Sequence, residues 1–323
     1  MASDASSHQT VFLAETISYL APGSRGSYVD ATVGFGFASE AILEACGPDG
    51  RLLALDVDPV AIEASGARLA RFEDRCAVVH GSYAELGELA DEAGFGQIDG
   101  VLIDAGGVSR EQIMNPERGL SFQVEGRLDM RLNPGAPGPD AAELVATLSP
   151  AELARMFKNA GEAPRKARAM ARAVVQRRSE SPIDTTTDLA EIIKKSVKSV
   201  GARRGVAHEA TRAFLGLRLA VNRELETLEA GIREAVDRLS PTGRLIVLTY
   251  HGSEHRLVRG VLRDMERGCE CPPDLPVCGC GHEPLVTRWP RKPLSPSAAE
   301  TLRNSSARSA RLHCAIRTEA PMQ

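Results

Sequence analysis

Aromatic residues are scarce. Eight Phe, four Tyr and a single Trp make up 4% of 323 residues, which argues against extended base-stacking platforms. Long hydrophobic runs are missing as well. None approaches the roughly 18 residues of a membrane span, so no membrane association is expected. Segment 1–9 is polar and acidic. It lacks the basic and apolar regions of a secretory signal, and the expected location is cytoplasmic. Seven Cys in a chain of this length do not read as a disulfide framework. What is present is ordinary globular material, 43% apolar and 25% charged. That is enough for one large domain or two, with a sizeable core.

A net charge of −4 hides a contrast along the chain. Residues 1–150 carry 9 basic and 23 acidic side chains, residues 151–212 carry 14 and 7, and residues 213–323 carry 16 and 13. The middle segment is a basic island in an acidic protein. It is either a solvated helical surface or a place where a polyanion is steered and bound.

The first half alternates strands with helices. Ser27–Asp30, Arg51–Asp56, Cys76–His80 and Ile98–Asp104 read as buried strands, with helices over 39–46 and 59–71. That alternation predicts a parallel sheet with right-handed crossovers. Residues 109–205 contain no convincing strand. They hold a Gly/Pro-rich stretch at 133–140 and then helices over 150–160, 164–178 and 187–199. A long helix is expected over 209–239, closed by Ser240-Pro241-Thr242-Gly243. A buried strand at 244–250 and an antiparallel pair at 285–289 and 312–317 complete the pattern. The expected class is α/β: a Rossmann-like sheet over 8–108 and 206–318, with a helical subdomain inserted at 109–205.

Ligands of such sheets bind at the carboxyl ends of the strands. Three features fall there: Asp30 four residues before Gly34-Phe35-Gly36, Asp56 twenty residues after Gly36, and Asp104. Glycines at a strand-to-helix turn let backbone approach a ligand, and a carboxylate at the next strand end accepts from both ribose hydroxyls. A dinucleotide site wants a third glycine where Ser39 stands. Asp30 suits a cofactor with a cationic end rather than a pyrophosphate. S-adenosyl-L-methionine is therefore favoured over NAD. The competing reading is a tight turn with Asp56 as a helix cap.

Seven ordered blocks then carry a resemblance: HQTVFLAE at 8–15, DATVGFG at 30–36, LDVDP at 55–59, PERGLSF at 116–122, LDMR at 128–131, HEATRAFLGLRLAVNRELE at 208–226 and NSSARSARL at 304–312. Together they resemble the bacterial 16S ribosomal RNA (cytosine-4-amino)-methyltransferases, the RsmH or MraW family, over about 8–318. The resemblance implies a Rossmann-like methyltransferase sheet with a helical insertion. It implies methyl transfer from S-adenosyl-L-methionine to a cytidine of the decoding region, with 16S rRNA or the small ribosomal subunit as partner. It places cofactor contacts on Gly36, Phe37, Ala38, Asp56, Tyr83, Asp104 and Gln112, beside the Asp30 and Gly34 read from the turn.

Three blocks near the reaction depart from the family pattern. Gly36-Phe37-Ala38 stands where the family has Gly-Gly-His. Thr249-Tyr250-His251-Gly252-Ser253-Glu254-His255-Arg256 stands for SFHSLEDR, and Ala160-Gly161-Glu162-Ala163 for YGEE. A retargeted or non-catalytic RNA-binding paralogue, or a methyltransferase acting on a small molecule or protein, therefore stays open as an alternative.

The amino nitrogen of cytosine is a poor nucleophile, so the protein's task is positioning and electrostatic help. Asp104, His251 and Glu254 are the catalytic candidates, all at strand ends. Asp104 is either an acceptor for the amino group or a cofactor ligand. Arg118, Asp129 and Arg131 precede the inserted helices, and Arg165, Lys166, Arg168 and Arg212 lie in or beside the basic island. These are the RNA candidates, with Phe122 and Tyr250 as stacking surfaces. Asn222, inside an apolar stripe, reads as a structural polar contact. Finally, Cys269, Cys271, Cys278 and Cys280 fall within twelve residues of a Pro-rich loop. Structural zinc, reduced thiols and disulfides all remain open there.

Overall fold

The computed structural model describes residues 10–320 apart from 198–208, 270, 273, 274 and 278. Contacts divide the chain into two compact units: residues up to Gly107 together with those from Glu226 onward, and Val108–Leu225.

The first unit is built on one seven-stranded sheet. Its strands are β1 (Ser27–Asp30), β2 (Arg51–Asp56), β3 (Cys76–His80), β4 (Ile98–Asp104), β5 (Leu239–Thr249), β6 (Val286–Arg288) and β7 (Arg311–Arg317). They run in the order β3-β2-β1-β4-β5-β7-β6. The first five are mutually parallel, and β7 lies antiparallel between β5 and β6. Helix α1 (Leu13–Leu20) precedes the sheet; α2 (Phe37–Ala45), α3 (Pro59–Leu69) and α4 (Leu86–Glu92) are the crossovers.

Both faces of the sheet are covered, which is why its strands read as unbroken apolar runs. Successive residues point to opposite faces. Leu53, Leu55, Val101, Ile103, Leu245 and Val247 meet Leu86, Ile232 and Leu262 on one side. Leu52, Ala54, Leu102, Ile246 and Leu248 meet Leu20, Ile42 and Leu43 on the other.

The second unit is helical: α5 (Arg110–Met114), α6 (Ala141–Thr147), α7 (Pro150–Asn159), α8 (Pro164–Glu180), α9 (Thr186–Val197) and α10 (Ala210–Val221). Its core joins Leu128, Val145, Leu153, Phe157, Met170, Val174, Leu189, Ile193, Phe214 and Leu217. Reciprocal caps set three helix starts, and Ser109 and Gln112 close the first, that of α5. Asp140 and Glu143 close α6, and Ser149 and Glu152 close α7, which has Pro150 at its first position. Each cap satisfies amides that the first turn leaves without partners.

The helix expected over 209–239 is two helices, α10 and α11 (Glu224–Arg238). Asn222 breaks it. Its Nδ2 donates to the carbonyls of Met130 and Arg218, both at 2.8 Å, and its Oδ1 accepts from the Leu132 amide at 2.8 Å. Arg223 then takes a positive φ of 49°. Ser240 to Gly243 do not stop the helix in a turn. They lie inside β5, where the pairing with β4 shifts register between Ile98 and Gly100. Helices α1, α4, α5, α6, α12 (Gly252–Arg267) and α13 (Ala298–Arg303) have no counterpart in the sequence reading. Residues 198–199 of the expected third helix lie outside the described residues. Among the described residues, no helix is long and apolar enough to cross a membrane.

Candidate active site

The carboxyl ends of β1, β2, β4 and β5 lie along one edge of the sheet, because these strands are parallel. Chain order delivers Asp30, Asp56, Asp104 and Thr249 to that edge.

After Asp30 the chain must turn sharply into α2. Gly34 adopts φ +50° and Gly36 φ +81°, a region open to glycine at little cost. A Cβ added at Gly34 would meet no atom within 4 Å, so the backbone there borders open space. The Gly34 amide donates to Asp56 Oδ2 at 2.9 Å, and the Asp58 amide to Asp56 Oδ1 at 2.9 Å. Both oxygens are thereby oriented, and each keeps a lone pair for a further donor. Burial raises the Asp56 carboxyl above its ordinary range, against the pull of those amides.

Asp30 is fully buried. Its Oδ2 accepts from the Ser39 hydroxyl at 2.7 Å and its Oδ1 from the Thr32 amide at 3.3 Å. Burial pushes it up to about 6. The Thr32 hydroxyl in turn accepts from the Asp104 amide at 2.7 Å, which ties the glycine turn to the end of β4.

Asp104 is the most perturbed of the three carboxylates. Its Oδ2 accepts from the Tyr250 hydroxyl at 3.2 Å. Its Oδ1 is buried and has no hydrogen-bond partner among the described residues. Burial pushes the carboxyl up to about 7, opposed by the Tyr250 hydroxyl and reinforced by the charges of Asp30 and Glu254. A Cβ at Gly107 would sit 3.0 Å from the Asp104 carboxyl carbon, so glycine leaves room beside this group. A buried acceptor without a donor costs stability. A strand-end carboxylate in that state is a binding-site signal.

His251 and Glu254 engage each other at the start of α12. His251 Nε2 lies 2.6 Å from Glu254 Oε1, and its Nδ1 lies 2.9 Å from the Ser253 hydroxyl. Glu254 Oε2 accepts from the Tyr250 amide at 2.8 Å and the His251 amide at 3.3 Å. Glu254 therefore fixes the backbone that carries Tyr250.

The remaining cofactor candidates are placed as follows. Phe37 opens α2, with the Arg68 guanidinium stacked 3.8 Å over its ring; Arg68 also donates to the Phe35 carbonyl at 2.8 Å. Ala38 packs into the core beside Val33 and Ile42. Tyr83 lies against Gly231 of α11, where an added Cβ would come within 2.9 Å of its Cε2. Gln112, in the helical unit, caps α5: its Oε1 accepts from the Ser109 amide at 2.7 Å.

The RNA candidates separate into two groups. Arg118 is buried and donates to the Leu132 carbonyl at 2.7 Å. Arg131 grips Asp129 through two bonds of 2.9 and 2.7 Å. Arg212 lies 3.5 Å from Glu162. Phe122 packs edge-on to Phe214, centroids 5.2 Å apart. These groups hold the second unit together. Arg165 and Arg168 are exposed on α8, with Lys166 half-buried. Arg168 lines an open groove of about 420 Å³ between α7 and α8, together with Arg155, Lys158 and Arg172. Among the described residues, no acidic side chain lines it.

Sequence reasoning missed three of these features: the Tyr250 bond to Asp104, the Thr32 hydroxyl beneath it, and the partnership of α7 with α8 in one groove. Each joins residues that share no local pattern, so periodicity and spacing carry no signal for them.

Residues 5–318 match the MraW methylase family. Ribosomal RNA small subunit methyltransferase H of Thermomicrobium roseum is 45% identical over 310 residues, covering 96% of this chain and 93% of that one. The protein of the same name in Oleidesulfovibrio alaskensis is 44% identical over 310 residues, covering 96% and 95%. That of Geobacter sulfurreducens is 42% identical over 309 residues, covering 96% and 98%.

Proposed function

The chain belongs to the MraW methylase family, and we propose that it transfers a methyl group from S-adenosyl-L-methionine to the exocyclic amino nitrogen of a cytidine in small-subunit ribosomal RNA. The observation that carries this reading is Asp104: a strand-end carboxylate with one buried oxygen lacking a donor, beside a glycine turn open to space and a pre-oriented Asp56. That set of acceptors fits a nucleoside bearing a cationic amino acid. Asp56 takes the ribose hydroxyls, Gly34 and Gly36 let the chain approach closely, and Asp104 Oδ1 accepts from the cationic end. Bound there, the cofactor supplies a sulfonium-activated methyl group.

What remains for the protein is placement. The cytosine amino nitrogen would have to be held toward the methyl group, with one of its protons free to pass to water as it is methylated. Asp104, Asp30 and Glu254 put negative charge around the site as positive charge builds on that nitrogen. Tyr250 holds Asp104 in place, Glu254 holds the Tyr250 backbone, and His251 lies against Glu254. We therefore assign His251 and Glu254 to positioning. The cationic groove between α7 and α8 supplies phosphate contacts that fix the RNA without reading its sequence. Structural zinc, one of the readings open for the cysteine-rich loop, is no part of this chemistry.

The test uses purified chain, labelled cofactor and small subunits from a strain lacking the enzyme. Label in a single cytidine amino group, located by nuclease digestion and mass spectrometry, is the expected result. Label in protein, or none in RNA, sinks the reading.

A further inference from the structure

Helix α12 leaves the active-site edge after Thr249 and runs 16 residues, about 24 Å at 1.5 Å per residue. The chain then makes an excursion before returning as β6 at the far edge of the sheet. The base of that excursion is tightly closed. Gly268 adopts φ +65°, and a Cβ there would lie 2.5 Å from the Pro284 nitrogen. The Leu285 amide donates to the Met265 carbonyl at 2.9 Å. Met265 and Val286 are both buried in the core.

Beyond the base, burial does not explain the shape. Leu275 is 48% exposed and Val277 77%. Ordering a loop costs backbone entropy, and apolar contacts at these positions offset little of it. Yet three thiols from separate points of the loop converge. The sulfurs of Cys269, Cys271 and Cys280 all lie within 4.8 Å of one another. Cys280 Sγ is 3.8 Å from Cys269 Sγ, and the Gly279 amide donates to Cys271 Sγ at 3.3 Å.

These distances remove the disulfide from the three readings of the sequence and are compatible with zinc. A disulfide holds its sulfurs at about 2.05 Å, and 3.8 Å is far outside that. Two thiolates on tetrahedral zinc, with Zn–S near 2.3 Å, stand about 3.8 Å apart. An amide donating to a sulfur is the kind of outer contact that stabilises a metal-bound thiolate. Prolines in the loop lower the entropy lost on closing it.

From this convergence of three sulfurs at the neck of an otherwise exposed loop, we propose that Cys269, Cys271 and Cys280 bind one zinc ion as a structural clip. Three thiolates are three of the four ligands that structural zinc takes; Cys278 lies outside the described residues. The clip is remote from Asp104 and acts on stability rather than on methyl transfer.

The full chain, purified without a metal-affinity tag, should contain about one zinc per molecule by elemental analysis. Metal-stripped chain titrated with Co²⁺ should develop thiolate-to-cobalt charge-transfer absorption that saturates at one equivalent. Cys271→Ser should lose the metal and melt lower, with unchanged affinity for S-adenosyl-L-methionine. The cobalt titration of the unaltered chain decides the matter even where that variant fails to fold. Zinc-free protein with no charge-transfer band on adding Co²⁺ overturns the proposal. So does a disulfide among these cysteines in protein prepared under reducing conditions.

Discussion

Tyr250 donates its hydroxyl to Asp104 Oδ2 at 3.2 Å, across the gap between the ends of β5 and β4, and leaves Oδ1 buried without a donor. One carboxylate oxygen is thus held by the fold and the other is held ready. Tyr250→Phe should remove the fixed bond and free the carboxylate to turn. We expect a stability loss of about 1–3 kcal/mol and an Asp104 carboxyl that titrates above its present value of about 7. Infrared titration of the carboxyl checks this; an unmoved midpoint contradicts the assignment.

The same carboxylate makes stability depend on pH. Its folded value, about 7, lies above its ordinary 3.8, so the folded chain binds that proton more tightly than the unfolded chain. The contribution is fully present below about pH 4 and is lost as pH rises to about 7. Asp30, at about 6, acts in the same direction. Asp104→Asn should flatten this decline, by up to about 1.4 kcal/mol per pH unit. Urea midpoints of both proteins between pH 4 and pH 8 measure it. Identical slopes would falsify the account.

Asp56 orients two backbone amides and offers lone pairs to a ribose. Asp56→Ala should weaken cofactor binding by about 2–4 kcal/mol, from two hydroxyl bonds at ~1–2 each. Titration calorimetry with S-adenosyl-L-methionine reads this directly, and unchanged affinity removes Asp56 from the site.

Arg155, Lys158, Arg168 and Arg172 share one groove, whereas Arg118 and Arg131 are engaged inside the helical unit. Replacing Arg168 and Arg172 by Gln should weaken RNA binding. It should also flatten the slope of log affinity against log salt by roughly one to two, at ~0.7–0.9 for each phosphate no longer neutralised. Arg118→Ala should instead lower the melting temperature. A salt slope that changes only in the Arg118 variant would place the RNA elsewhere.

Asn222 satisfies three backbone groups at the break between α10 and α11. Asn222→Ala should destabilise the chain by about 1–3 kcal/mol, since partly buried backbone groups lose their partners. Hydrogen exchange at the Leu132 amide should speed up with it; unchanged protection there means that solvent already serves this amide.

The sequence by itself determined the sheet and the strand-end acids. Apolar runs such as RLLALD, bounded by Gly/Pro turns, leave little choice but buried parallel strands, and parallel strands bring Asp30, Asp56 and Asp104 to one edge. Gly34 and Gly36 announce the turn because only glycine takes those φ values cheaply. Asn222 was legible as a structural polar residue, but not as the end of a helix, because its partners Met130 and Leu132 lie some ninety residues away. The tertiary structure alone decided which oxygen of Asp104 has a donor. It also decided which arginines are engaged internally and which face a groove. Hydrogen bonds and ion pairs are set by a few tenths of an ångström between distant segments. Hydrophobic periodicity, which makes a sequence readable, fixes only which face of each element is buried.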